Sequence, residues 1–142
     1  MIEFPEPGSK LYIAGPMGGC VDLNHPAFHD AARLLRNEGY EITNPAEIDE
    51  TVEERDRTWG HYLARDVAVI LQGGMEGVAM LPGWRASRGA QLEGFAAQCI
   101  RIPLFDFTTR EHILLKPTWI LPDAIDKLES AIDYAARVLS TF

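Results

Sequence analysis

Short apolar runs alternate with longer amphipathic stretches along this chain. "LYIA" at 11–14 reads as a buried strand that ends in a Gly-Pro turn and a Gly pair. The next stretch places Phe28, Ala31, Ala32 and Leu35 on one helical stripe. Asn24 stands at its cap position, Pro26 in its first turn and Gly39 at its stop. "YEIT" predicts a second strand, ended by Asn44-Pro45, and the acidic run "PAEIDETVEERDRT" predicts an exposed loop with some helix. A helix is expected over about 58–71 on the stripe Trp59, Tyr62, Leu63, Val67, Ile70. A third strand follows at 78–81. Ser87 then caps a helix with Leu92, Phe95, Ala96 and Cys99 facing inward, and "CIRIPLF" predicts a fourth strand. "HILLKPTWIL" reads as a short strand or an interface loop. Ile125, Leu128, Ile132, Ala135 and Leu139 predict a last helix over about 123–140.

Apolar strands alternating with amphipathic helices predict an α/β fold, a parallel sheet with helices on both faces. In such sheets ligands bind beyond the carboxyl ends of the strands. That rule selects two loops, "AGPMGG" and "PGWRASRG".

The 142 residues suit one domain and can bury a core without a metal or disulfide staple. A net charge of −8 speaks against a nucleic-acid polymer as partner, because phosphate neutralisation carries most of such affinity. It leaves room for a small anion held by local arginines. Cys20 and Cys99 have neither CxxC nor zinc spacing, which predicts reduced thiols in a cytoplasmic protein. The N-terminal residues lack a signal-peptide pattern and no apolar run is long enough for a membrane span, so no membrane is expected.

Candidate chemistry concentrates around the two loops. The helix opening at Ser87 suits a phosphate or carboxylate: its N–H groups are free, Gly89 permits close approach, and Arg88 or Arg85 adds charge. An ordinary serine cap beside solvated arginines is the alternative. Glu93 lies further along the same helix, as a surface glutamate or as a residue facing the cleft. Asp66 falls three after Leu63 and four before Ile70, on the buried face, where desolvation would raise its pKa. Pairing with Arg65 or a backbone group is the alternative there. Two carboxylates in one cleft suggest glycosyl chemistry, with about 5 Å between them suiting a covalent intermediate. Trp84 either stacks on a base or sugar or packs its loop. His25 and His29, four apart, form a possible metal pair, but no third ligand is evident and no metal site is expected. Gly15-Pro16 and Gly18-Gly19 do not make a dinucleotide fingerprint.

"YIAGPMGG", "NHPAFHDAARLLRNEGYEITNPAEI", "WGHYLARDVAVIL" and "VAMLPGWRASRGAQLE", in that order, resemble the nucleoside 2-deoxyribosyltransferase superfamily. They resemble in particular a bacterial and phage branch related to nucleoside 5′-monophosphate N-glycosidases. The resemblance covers about residues 10–103 of a single domain spanning 1–142. It implies a flavodoxin-like or Rossmann-like sheet and a homodimer or larger assembly, in which a neighbouring subunit completes each site. It implies Glu93 as the nucleophile, Tyr12 as the hydroxyl that orients it and Asp66 near the departing base. Gly15, with Pro16 and Met17 in the first loop, would lie against the substrate; Ser87, with Arg88 and Gly89, would hold the 5′-phosphate. Where the transferases tend to have aspartate, this chain has Ser87, which favours a nucleotide over a nucleoside. Gly18 departs from the polar residue often found after Gly-Pro-Met. The expected activity is hydrolysis of the N-glycosidic bond of a nucleoside 5′-monophosphate, most simply a deoxynucleotide. The alternatives are deoxyribosyl transfer and a non-catalytic nucleotide-binding module. An assembly role through Trp119 and its neighbours is a third. The implied chemistry uses carboxylates alone, so no cofactor is expected.

Overall fold

The computed structural model describes residues 2–51 and 58–116, with 133, 134 and 137 beyond them. Five strands are present: β1 (Lys10–Ala14), β2 (Glu41–Thr43), β3 (Gly77–Met80), β4 (Leu104–Asp106) and β5 (His112–Ile113). Four α-helices connect them: α1 (His25–Asn37), α2 (Pro45–Asp49), α3 (Trp59–Gln72) and α4 (Arg88–Cys99). The sheet order is β2-β1-β3-β4-β5, parallel except for β5, which runs antiparallel to β4. This is the Rossmann-like, flavodoxin-like arrangement expected from the alternation of strands and helices.

Alternation along each strand sends neighbouring side chains to opposite faces. Leu11 and Ile13 of β1, with Ala79 of β3, pack under α1 and α2 among Phe28, Ala31, Ala32, Leu35 and Ala46. Tyr12 and Ala14, with Val78 and Met80, pack on the other side against Ile70 of α3 and Ala90 and Ala97 of α4. Both faces are therefore covered, which is why strands β1 and β3 are apolar at nearly every position.

Three expectations need correction. The inward face of α4 is Ala90, Leu92, Glu93, Gly94 and Ala97, while Phe95 and Ala96 are half-buried and Cys99 is exposed. Close approach is the reason. A Cβ on Gly94 would lie 3.2 Å from Leu104 Cδ1 and Leu115 Cδ1 and 3.3 Å from Met80 Cε, so the smallest residues face the sheet. On α3 only Leu63, Asp66 and Ile70 are fully buried; Trp59 is exposed, and Tyr62 and Val67 are half-buried. Asn24 occupies the cap position of α1 without a capping bond. It adopts left-handed backbone (φ 58°), as do Asp22 and Leu23, and its Nδ2 donates to Pro16 O at 2.9 Å.

The expected caps Thr58 and Ser87 are present, accepting from His61 N and Ala90 N. The fourth strand begins later than expected, because Ile102 N still donates to Ala97 O as the chain leaves α4. The short strand expected in "HILLKPTWIL" is β5; Trp119 lies outside the described residues. So do Ile125, Leu128, Ile132, Ala135 and Leu139 of the expected last helix, of which Asp133, Tyr134 and Arg137 are described and helical. No helix among the described residues is long and apolar enough to cross a membrane.

Candidate active site

The sheet order reverses at β1 and β3, and the loops leaving their carboxyl ends part to form a cavity of about 570 Å³. Gly15, Pro16, Met17, Gly18 and Cys20 line it from the first loop, Ser87, Arg88 and Gly89 from the start of α4. Asp49, Asp66 and Glu93 bring three carboxylates to its floor, and Trp59 and Tyr62 flank its mouth. Gly15 answers first to packing: a Cβ there would fall 2.8 Å from Leu81 Cβ.

The carboxylates are buried far beyond the usual for their type, Glu93 to 8 %, Asp66 to 5 % and Asp49 to 7 % exposure. Arg65 ties two of them together. Its Nη2 donates to Asp49 Oδ1 at 2.6 Å and also to Asp66 Oδ1, and its Nε donates to the same Asp66 oxygen at 2.9 Å. Asp49 Oδ2 faces His25 Nε2 at 3.1 Å. The expected pairing of Asp66 with Arg65 and its expected raised pKa thus occur together. Burial pushes Asp66 up to about 6 against the pull of Arg65, with the charge of Asp49 adding to the rise.

Glu93 has no such cation. Burial first, then the charge of Asp66, raise it well above the ordinary carboxylate range. Tyr12, in the middle of β1 and fully buried, lies close enough to Glu93 for each to affect the other's proton affinity, and its own pKa is raised, chiefly by burial. The two do not reach hydrogen-bond geometry. Tyr12 Oη, Glu93 Oε2 and Arg65 Nη1 are each buried without a partner. Three orphaned polar atoms in one cluster are conspicuous where nearly all buried polar groups are satisfied.

One turn before Glu93 the N-terminus of α4 also lines the cavity. The Ser87 hydroxyl takes the Ala90 N–H at 3.2 Å, and the first amides of the helix have no intrahelical acceptor. Gln91 Nε2 holds the preceding loop by donating to Arg85 O at 2.7 Å. A Cβ on Gly89 would meet nothing closer than Glu93 Oε1 at 4.0 Å, so the glycine leaves an open approach to both the helix end and the carboxylate.

Trp84 is not in the cavity. It follows Gly83 (φ 88°) in a 3-10 turn, and its side chain is turned into the core at 4 % exposure. Arg85 lies over its ring at 5.2 Å and does not line the cavity either. The aromatics that do are Phe28, Tyr62 and Trp59, the last 39 % exposed. Asp49 and Trp59 carry positions that sequence reasoning did not assign to a site. For Asp49 a signal existed: Pro45, Ala46 and Asp49 share one helical face, and all three are buried.

Among the described residues His25, His29 and Glu50 have ligand-like atoms within 4.8 Å of one another, so a third group does join the histidine pair. Their hydrogen bonds give them another role. Asn44 Oδ1 is committed to Ala46 N, which leaves Asn44 Nδ2 to donate to His29 Nδ1 at 3.3 Å. The imidazole hydrogen then sits on Nε2, facing Glu50 Oε1 at 2.9 Å, and not the lone pair that a metal takes.

A family model described as "Domain of unknown function (DUF4406)" matches residues 9–106, and the chain belongs to that family. No curated protein and no solved structure matches it.

Proposed function

We propose that this DUF4406 member hydrolyses the N-glycosidic bond of a nucleoside 5′-monophosphate, and that a deoxynucleotide is its substrate. The observation that carries the reading is Glu93, a cavity-lining side chain whose buried Oε2 has no partner, one turn along α4 from the helix N-terminus that lines the same cavity. A phosphate at Ser87 and Gly89 would meet the backbone and the positive end of the helix. The sugar would then lie between the helix end and Glu93. The resemblance of the four sequence motifs supports the same assignment.

The chemistry balances with the groups present. Glu93, whose proton leaves to solvent through the cavity before the step, attacks C1′ as the carboxylate and forms an ester as the C1′–N bond breaks. Asp66, in the protonated fraction that its raised pKa of about 6 maintains, gives its proton to the leaving base nitrogen. Water then attacks C1′, its proton passes to Asp66, and Glu93 is released. Tyr12, unpartnered beside Glu93, donates to the carboxylate oxygen not engaged in the ester. Trp59 offers a face for the base. A second base in place of water makes the same intermediate a transferase's, and a neighbouring subunit completing the cavity is part of the same proposal.

The test is chromatographic release of free base from a panel of ribo- and deoxynucleoside monophosphates, beside Glu93→Gln. Release by the native protein, lost in the variant, supports the reading. Release that requires an added base makes the protein a transferase. A folded protein that releases no base from any member of the panel overturns the hydrolase assignment.

A further inference from the structure

Three carboxylates line the cavity, and among the described residues the Arg65 guanidinium is bonded to two of them. With Asp49, Asp66 and Glu93 all ionised, these three and Arg65 would carry an excess of two negative charges on side chains only 5–8 % exposed. Charges so placed are not tolerated together; protons are taken up instead. Which carboxylate holds a proton is decided by how Arg65 is divided.

We propose that Asp49 is a positioning residue that competes with Asp66 for Arg65, and so favours the protonated form of Asp66 in the reacting site. The inference rests on the reading of Asp66 as proton donor to the leaving base. The geometry behind it is asymmetric. Both Arg65 contacts to Asp66 fall on one oxygen, Oδ1, so the guanidinium does not clamp that carboxylate by both oxygens. The nitrogen that reaches Asp66, Nη2, is the same one that Asp49 Oδ1 holds at 2.6 Å. Asp49 is itself anchored from the far side by His25, at 3.1 Å. A chain therefore runs from His25 on α1 through Asp49 on α2 and Arg65 on α3 to Asp66, with Glu93 on α4 and Tyr12 on β1 facing its inner end. Tyr62 joins them, with Arg65 lying 5.3 Å over its ring.

Two opposite substitutions follow. Asp49→Asn removes the competing charge and frees Arg65, so Asp66 should titrate lower, with about tenfold or greater loss of proton affinity. His25→Ala removes the anchor on Asp49, which then leans on Arg65 alone, and Asp66 should titrate higher. The primary readout is the Asp66 carboxyl carbon followed by NMR across pH in the native protein and both variants. Base release against pH is the second, with the alkaline limb moving the same way as the carboxyl midpoint.

Opposite displacement of the two midpoints is the expected result, because general loosening of the site would move both in one direction. An unchanged Asp66 midpoint in Asp49→Asn, or displacement of both variants to the same side, overturns the proposal. If Asp49→Asn does not fold, an unchanged midpoint in His25→Ala overturns it. A native protein that releases no base removes the hydrolase reading, while the carboxyl titration still decides whether Asp49 controls Asp66.

Discussion

Asp66 makes the stability of the fold depend on pH, and the dependence can be isolated. Its folded pKa of about 6 lies above the ordinary 3.8. A group raised in this way contributes stability that is fully present below 3.8 and is lost as pH rises through 6, because the folded state keeps a proton that the unfolded chain has given up. Integrated between about pH 4.5 and about pH 7.5, a shift of that size removes about 2 kcal/mol. Asp66→Asn cannot titrate there. The variant loses its bond to Arg65 at every pH, so it starts with its own offset. What is expected is that its stability relative to the native protein improves by about 2 kcal/mol across that interval. Removing the Asp66 charge also relieves Glu93, which acts in the same direction. Urea unfolding at several pH values, with the difference between the proteins plotted, is the assay. A difference that stays flat, or that falls as pH rises, would mean that Arg65 keeps Asp66 ionised throughout and would sink the argument from burial.

Two further expectations separate the cavity from the core. Trp59→Ala should weaken nucleotide binding roughly 5- to 100-fold and barely alter thermal stability, since the ring is 39 % exposed at the cavity mouth. Trp84→Ala should lower stability by about 3–5 kcal/mol, since its ring is buried in the core, and calorimetry beside binding titration distinguishes the two. Cys20 lines the cavity whereas the exposed Cys99 does not, so bound nucleotide should slow alkylation of Cys20 and leave Cys99 unaffected, as read by peptide mass mapping. Equal rates at Cys20 with and without nucleotide would place the ligand elsewhere.

Much of the site was legible because local rules decided it. The Ser87 cap, the buried position of Asp66 between Leu63 and Ile70, and the strand ends that frame the cavity all follow from short-range spacing. The misreadings were tertiary. Trp84 sits beside arginines and glycine in the sequence, which suggests a ligand loop, but Gly83 turns its ring inward. Of the residues expected inward on α4, Leu92 is buried and Phe95 packs against the core, while Cys99 is exposed and the closest approach to the sheet is made by Ala90, Gly94 and Ala97. Asp49 belongs to a strongly acidic run, which reads as solvent-exposed until α1 and α3 bring His25 and Arg65 to it. The division of Arg65 between two carboxylates depends on three helices and has no signature in any one of them.

The order β2-β1-β3 also sets a sequence of events during synthesis. β1 and β2 can pair as soon as α1 connects them, but the second edge of β1 waits for β3, beyond α3. Pairing across so long a separation is slow, because the loop must close before any contact rewards it. Glu93 leaves the ribosome later still. Its burial needs α4 against β1, β3 and β4, so it cannot be complete until β4, the next strand after α4, has been made.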